Sequence, residues 1–277
     1  MTDQPVVLFS SLSSDIGLEL ARRYRRDGWI VAGTYRSASS LPALREVAGE
    51  NLWHCDLDNR VTIEASVAAF RASGLRWRTF VSCASQPGPL SVFFDTPFDA
   101  WSQSVHVNAI EQLRMLHAVH DCRASEGLSD VVFFAGPGTN SAVLNFSALT
   151  IGKMMLIKMC ELLDAECPDL NAFIIGPGWT RTKTHHTIIN DPSVSEEKRR
   201  ETLAFLESQT GTSFEDIYAC IRWLSAGGRH RAGGRNFSVV HDLWGDDRLA
   251  AELLRDSSMY KFRRAGNDWK AKEPMGP

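Results

Sequence analysis

The chain has 277 residues, of which 44% are hydrophobic, so it can bury a full core as one large α/β domain or as two small ones. Its formal net charge of -3 gives no bulk attraction to nucleic acid or to an anionic membrane, and a small molecule is the expected partner. The six cysteines form neither a C-x-x-C pair nor a Cys/His cluster at metal spacing, so we expect no metal site and a reducing, cytoplasmic environment. The amino-terminal segment has only a short apolar run, which predicts neither a signal peptide nor a membrane span.

Short apolar runs alternate with helical periodicity along the chain. The run at 5–11 predicts a buried strand, and a helix with one apolar side follows from Ile16 to Gly28. Further strands are predicted at 29–35, 52–57, 79–85, 130–136, 171–178 and 235–240. Strands that are apolar on both faces and separated by helices require a parallel sheet covered on both sides. We therefore predict a doubly wound, Rossmann-type α/β domain over residues 1–256.

A long insertion at about 184–211 separates the sixth strand from the next helix. It contains a capped, charged helix with Leu203 and Leu206 on one side. An insertion of this length in a compact domain usually serves as a lid over a substrate. Its polar residues, His185 and His186 among them, favour a hydroxylated or charged ligand.

Two segments are candidates for contacts between subunits. The polar and basic segment 257–277 is predicted to be an extension that is either loosely ordered or lies on a neighbouring subunit. The apolar, methionine-rich helix at 148–163 suits the face of a homodimer or homotetramer as well as it suits a core.

The turn after the first strand, SSLSSDIG at 10–17, is a candidate phosphate site. In doubly wound folds a diphosphate binds at the amino end of the first helix, because free N–H groups and the helix dipole favour anions. This turn contains one glycine, Gly17, and an ordinary serine-rich helix cap would explain the pattern as well. Ser13 and Ser14 either bind phosphate or cap the helix, and this motif alone does not distinguish the two roles.

Six features in order make the chain similar to the short-chain dehydrogenase/reductase family over roughly residues 5–245. The order of elements is one of them. The turn at 10–17 resembles T-G-x-x-x-G-x-G, with Ser11 and Asp15 at the earlier glycine positions. The others are CDLDN at 55–59, VSCAS at 81–85 in place of N-N-A-G, VHVNAI at 105–110, and GPGWTRT at 176–182, which resembles P-G-x-x-x-T.

The resemblance implies a bound NAD(P). Asp56 would contact the adenine, Pro177 and Gly178 would approach the nicotinamide, and Thr182 would bond its carboxamide. Arg36 stands where the adenosine ribose would lie; it either pairs with a 2′-phosphate, which favours NADP(H) over NAD(H), or faces solvent. The implied cofactor-binding residues are Ser10, Ser13, Ser14, Asp15, Ile16, Gly17, Arg36, Asp56, Leu57, Ala84, Lys153, Pro177, Gly178 and Thr182.

The catalytic residues match only in part. In the family a tyrosine exchanges the proton of the substrate oxygen, a lysine four residues later lowers its pKa and holds the ribose, and a serine orients the carbonyl. Lys153 matches the lysine and Asn108 matches a catalytic asparagine, but Leu149 stands at the tyrosine position and Gly136 at the serine position. The chain therefore resembles a divergent member with an atypical active site.

Three functions stay open at this point. The first is an NAD(P)-dependent oxidoreductase acting on a polar, carbohydrate-like small molecule, in which water, Thr139, Ser141, Thr150 or a lid histidine replaces the tyrosine. The second is a catalytically silent relative that binds dinucleotide as a sensor or as the partner of an active subunit. The third is a non-redox lyase or epimerase that uses the same pocket.

Overall fold

A parallel sheet of seven strands forms the centre of the computed structural model, which describes residues 4–192, 194–208 and 210–264. The strands lie in the order β3-β2-β1-β4-β5-β6-β7, and each neighbouring pair is parallel. They are β1 Val6–Ser10, β2 Ile30–Tyr35, β3 Leu52–His54, β4 Trp77–Ser82, β5 Ser129–Phe134, β6 Leu170–Gly176 and β7 Asn236–Ser238. The predicted doubly wound α/β fold is confirmed.

Ten α-helices lie in the described part of the chain. They are α1 Asp15–Arg26, α2 Leu41–Ala48, α3 Arg60–Ala72, α4 Phe98–Val105, α5 Glu111–Val119, α6 Ser147–Glu166, α7 Lys183–Asn190, α8 Glu196–Glu207, α9 Phe214–Ala232 and α10 Asp247–Arg255. A π-helical turn, His106–Ile110, joins α4 to α5. None of the helices described is long and apolar enough to cross a membrane.

Two apolar cores cover the two faces of the sheet. In β5, Val132 and Phe134 point into one core with α1, α2, α9 and α10, whereas Val131 and Phe133 point into the other with α3, α5 and α6. Successive residues of a strand face opposite sides, so a strand buried on both faces reads as a continuous apolar run. This explains why the strands could be recognised in the sequence.

The carboxyl ends of the strands form the edge where a site can be built. Strand β1 lies between β2 and β4, so the connections that leave β1 and β4 diverge and open a crevice above the sheet. The predicted strands run past the observed ends, because residues such as Cys55, Ala84 and Gly136 have already left the ladder. These residues directly follow the carboxyl ends of their strands or lie within two residues of them.

Helices α7 and α8 occupy the predicted insertion and are called the lid below. The sequence places Leu203 and Leu206 on one side of α8, but this is not the buried side of the helix. The buried residues of α8 are Thr202 and Phe205, while Leu203 is 39% exposed. The Phe205 ring packs against Trp179, with a centroid distance of 4.8 Å, and this contact sets the rotation of the helix.

The first part of the carboxyl-terminal extension lies against its own domain. The Tyr260 ring packs on Phe237 at a centroid distance of 5.0 Å, and Lys261 pairs with Asp164 of α6 at 3.4 Å. Residues 265–277, the rest of the predicted extension, lie outside the described residues.

Candidate functional site

The turn between β1 and α1 is tight and depends on one glycine. A Cβ atom at Gly17 would lie 2.9 Å from the carbonyl oxygens of both Ser11 and Leu12, so no side chain fits there. Ser11 has a φ of +63°, a left-handed conformation that favours glycine. Ser14 caps α1, because its Oγ accepts a hydrogen bond from the Gly17 amide at 3.0 Å. The amino end of α1 therefore points at the crevice.

Other predicted residues of this turn lie close by. Ser10 Oγ, at the end of β1, is fully buried and has no hydrogen-bond partner among the described residues. Ser13 and Ile16 are half-buried. Asp15, the first residue of α1, accepts a hydrogen bond from the Lys183 amide at 2.6 Å, and its other carboxylate oxygen lies 3.3 Å from Lys183 Nζ. A carboxylate thus stands at the helix end where the family pattern has glycine.

The predicted adenosine residues line the outer end of the crevice. Arg36 directly follows β2, is exposed, and forms no ion pair with any residue the structure describes. Asp56 lies just beyond β3, where its carboxylate accepts a hydrogen bond from the Asp58 amide at 3.1 Å and its own amide donates to Thr62 Oγ1 at 2.9 Å. Leu57 beside it is buried. Since β2 and β3 are neighbours, Arg36 and Asp56 lie on one edge.

Lys153 is almost completely buried. It is only 2% exposed, and its Nζ donates to the carbonyl oxygen of Ala84, after β4, at 3.0 Å. Burial lowers the pKa of this lysine to about 8, because the charged form loses its hydration. The Cys83 thiol is close to this lysine, and burial raises its pKa to about 12.

Asn108 lies in the π-helical turn and braces the loop after β4. Its Nδ2 donates to the Gln86 carbonyl at 2.8 Å, and its Oδ1 accepts from the Gln86 amide at 3.0 Å. A Cβ atom at Gly152 of α6 would lie 2.9 Å from Asn108 Cβ, so α6 packs tightly on this turn. These contacts give the asparagine a structural role, and its predicted catalytic role stays a prediction.

Gln112 is a site residue that the sequence reading missed. It is fully buried; its Oε1 accepts from Ser82 Oγ at 2.7 Å, and its Nε2 donates to the Asn108 carbonyl at 2.8 Å and to the Ala84 carbonyl at 3.2 Å. The Ala84 carbonyl thus accepts from both Gln112 and Lys153. The signal in the sequence was a polar residue one helical turn after Asn108 on an apolar face.

Gly136 and Leu149 lie beside Lys153, as their predicted positions require. A Cβ atom at Gly136 would lie 2.9 Å from Lys153 Cγ and 3.9 Å from Leu149 Cγ. Leu149 is 7% exposed and belongs to an apolar cluster that joins the lid to α6. The cluster consists of Leu90, Val143, Phe146, Leu149, Ile188 and Val194. Apolar side chains therefore fill the position at which the family has its catalytic tyrosine.

Of the groups considered as replacements for the tyrosine, Thr150 and the lid histidine His185 have other partners, Ser141 and His186 are exposed, and Thr139 is half-buried. Thr150 Oγ1 donates to the Pro137 carbonyl at 3.3 Å. The His185 ring stacks on Trp179 with centroids 5.6 Å apart, and burial lowers its pKa. His186 and Ser141 are exposed.

The segment after β6 leads directly into the lid. Gly178 has a φ of +72°, and a Cβ atom there would lie 2.4 Å from Val240 Cγ2, so this turn requires glycine. Thr182 precedes α7, and its Oγ1 lies 3.5 Å from His185 Nδ1. The predicted contacts of Pro177, Gly178 and Thr182 with a nicotinamide stay predictions. Among the described residues there is no cluster of His, Cys, Asp and Glu that could hold a metal ion.

Comparisons with known proteins agree with this fold. A sequence model of the family described as "Enoyl-(Acyl carrier protein) reductase" matches residues 12–228. No curated protein sequence matches the chain. Among solved structures, the chain is similar to a short-chain dehydrogenase/reductase from Saccharomyces cerevisiae, with 19% identity, a TM-score of 0.76, and coverage of 89% of this chain and 98% of that chain.

Two bacterial structures give the same result. One is a short-chain dehydrogenase from Shigella flexneri complexed with NADP, with 19% identity, a TM-score of 0.70, and coverage of 86% of this chain and 98% of that chain. The other is an oxidoreductase from Escherichia coli, with 20% identity, a TM-score of 0.70, and coverage of 87% of this chain and 96% of that chain. At these identities the likeness shows the fold.

Proposed function

The chain belongs to the short-chain dehydrogenase/reductase family, and on that premise we propose that it binds a nicotinamide dinucleotide but does not reduce carbonyls by the tyrosine route. It has the oxidoreductase fold of the family. The observation that carries the proposal is the apolar cluster around Leu149, which leaves Lys153 without an ionisable hydroxyl beside it.

The fit to a dinucleotide rests on the crevice above β1 and β4. The buried, unpartnered Ser10 Oγ and the glycine-dependent end of α1 offer polar groups to a diphosphate. Arg36 and Asp56 stand on the edge where an adenosine would lie, and we assign the preference for NADP(H) to Arg36. When bound, such a cofactor would supply or accept a hydride at its nicotinamide, the part of the cofactor assigned to Pro177, Gly178 and Thr182.

Leu149 and the side chains packed around it argue against general acid catalysis. A general acid has to lie within hydrogen-bond reach of the substrate oxygen. Leu149 has no proton to give, and the groups packed around it are hydrocarbon. A dinucleotide sensor, or the silent partner of an active subunit, needs only binding, so this function fits the site best.

An oxidoreductase with an altered proton path is the competing candidate. The retention of Lys153 and Asn108 favours it, because a lysine with a pKa of about 8 can exchange a proton with water near neutral pH. A lyase or epimerase has less support, since no described residue next to Leu149 forms an acid–base pair. The cluster around Leu149 also favours an apolar ligand over the carbohydrate-like one expected from the polar lid.

Two measurements on the unmodified protein test the proposal. Fluorescence titration should show binding of NADPH or NADH, and failure of both to bind would refute it. NADPH consumption with a panel of sugar, cyclic and long-chain ketones should not exceed the rate without protein. Robust turnover that is lost in Lys153→Met but kept in Lys158→Met, an exposed lysine of the same helix, would instead support the oxidoreductase.

A further inference from the structure

One carboxylate holds the amino ends of two helices together. Asp15 begins α1, and Lys183 begins α7, so the Lys183 amide is one of the free donors at a helix amino end. The Asp15 carboxylate accepts from that amide at 2.6 Å and lies 3.3 Å from Lys183 Nζ. Because the Lys183 side chain is 82% exposed, the backbone hydrogen bond is the stronger of the two contacts. This pair is called the latch below.

The Asp15 carboxylate has the chemistry of a bound phosphate. It presents anionic oxygens to a free helix amide and to an ammonium group, which are the donors that bind phosphates in proteins. It also stands at the amino end of α1, beside the topological switch point, where doubly wound folds place a diphosphate. Two anionic groups at contact distance repel each other, so a diphosphate and the latched carboxylate exclude each other.

We propose that Asp15 is an internal substitute for the phosphate of the ligand, which fastens the lid to α1 until a dinucleotide displaces it. This displacement rests on the proposed function, because it requires that the protein binds a dinucleotide. The diphosphate takes the place of the carboxylate at the amino end of α1 and not at Lys183, so the Lys183 amide loses its acceptor and the amino end of α7 is freed. Ile188 of the same helix packs in the cluster with Leu149, so release of α7 uncovers apolar surface there. Ligand occupancy is thereby converted into a change at the lid, as a sensor requires.

The latch is tested first without any ligand. Hydrogen exchange of the Lys183 amide and of α7 should be about tenfold or more faster in Asp15→Ala and in Asp15→Asn than in the unmodified protein, the scale of one charge-assisted hydrogen bond. Asp247→Asn is the matched control, because Asp247 is the exposed first residue of α10 and does not touch the lid. Unchanged exchange in both Asp15 variants would overturn the latch, whatever the protein binds.

The second arm uses NADPH as the probe. Asp15→Ala should bind NADPH about 10- to 100-fold more tightly than the unmodified protein in a fluorescence titration, since the ligand no longer has to break the latch. NADPH should also accelerate α7 exchange in the unmodified protein and leave it unchanged in Asp15→Ala. The proposed displacement would be overturned if both proteins bound NADPH with equal affinity, or if NADPH did not change the hydrogen exchange of α7 in the unmodified protein. If Asp15→Ala loosens α7 but neither protein binds NADPH or NADH, the proposed function fails while the latch stands.

Discussion

The site departs from the family pattern at single residues, while the strands and helices that carry these residues are those that the pattern predicts. Gly136 and Leu149 lie beside Lys153, where the serine and tyrosine were expected, and remove both hydroxyls. Asp15 adds a negative charge at the amino end of α1. Together these changes weaken the case for carbonyl reduction more than they weaken the case for ligand binding.

Gly136 should not tolerate the side chain that its position carries in the family. Gly136→Ala should lower the free energy of unfolding by about 1–3 kcal/mol, because the new Cβ would lie 2.9 Å from Cγ of the buried Lys153. Gly176→Ala is the control, since a Cβ there has its nearest neighbour at 3.7 Å at the end of the adjacent strand. Urea denaturation measures both. If Gly136→Ala lowers the free energy of unfolding no more than Gly176→Ala does, Lys153 does not crowd a side chain at position 136.

Burial of Lys153 should make stability depend on pH in a defined direction. Its folded pKa of about 8 is below the ordinary value of 10.5, so between these values the unfolded chain binds more protons and stability rises with pH. The free energy of unfolding of Lys153→Met minus that of the unmodified protein should be largest below pH 8. Above pH 8 it should shrink by up to about 1.4 kcal/mol per pH unit.

Urea denaturation at pH 7, 8 and 9 measures this difference. Lys198→Met is the control, because Lys198 lies on α8 and pairs with Glu201 at 2.7 Å. A difference for Lys153→Met that stays constant across this range would show that the lysine is hydrated in the folded protein.

Arg36 should set the choice between the two dinucleotides. We expect NADPH to bind about 10- to 100-fold more tightly than NADH, which corresponds to one charge-assisted hydrogen bond. Arg36→Ala should abolish the preference, whereas Arg45→Ala on the nearby helix α2 should keep it. Fluorescence titration with both dinucleotides decides this, and equal affinities in the unmodified protein would remove Arg36 from the cofactor site.

The sequence predicts which residues lie together when they are close in the same helix. It does not predict contacts between residues that are far apart in the chain. Leu149 and Lys153 are one helical turn apart, so their shared side of α6 follows from spacing alone. Asp15 and Lys183 are 168 residues apart, and their contact exists only once β1 and β6 have been placed in one sheet. The burial of Gln112 likewise depends on the carbonyl at the end of β4.

At the scale of elements, the strands were easier to predict than the orientation of the lid helices. Apolar runs identify strands that are buried on both faces, such as β1, β5 and β6. The lid has too little apolar surface for periodicity to fix its rotation. In α8 an aromatic contact of Phe205 with Trp179 determines the buried side, which the spacing of the leucines does not identify.

The lid should open when its apolar contact with α6 is weakened. Ile188 is 9% exposed and packs in the cluster with Leu149, so Ile188→Ser should raise the open population about tenfold. Limited trypsin digestion should show faster cleavage at Lys198 and Arg199 of α8, because cleavage follows the open fraction when opening is fast. Ile189→Ser, at the less buried neighbour, should digest at nearly the original rate. Equal rates for the two variants would mean that the cluster does not hold the lid.

At the scale of the whole molecule, α6 has two distinct sides. Its inner side carries Leu149 and Lys153 of the site. Its outer side exposes Ile151, Met155 and Leu162, which lie four and seven residues apart and therefore share one face. Adjacent exposed apolar side chains on one helix favour a protein contact, and we propose that this face joins copies of the chain into a homodimer or homotetramer.

Charges on this face should therefore dissociate the assembly. Ile151→Asp combined with Met155→Lys would bury charged groups in the contact, and in a symmetric interface every subunit would contribute them. Light scattering after gel filtration at micromolar concentration should show an oligomer for the unmodified protein and a monomer for the double variant. Val61→Lys, at an apolar residue of α3 that is 72% exposed, should leave the oligomer intact. Because α6 also carries Lys153, the monomer should bind NADPH more weakly than the oligomer, and an unmodified protein that is already monomeric would refute the proposed interface.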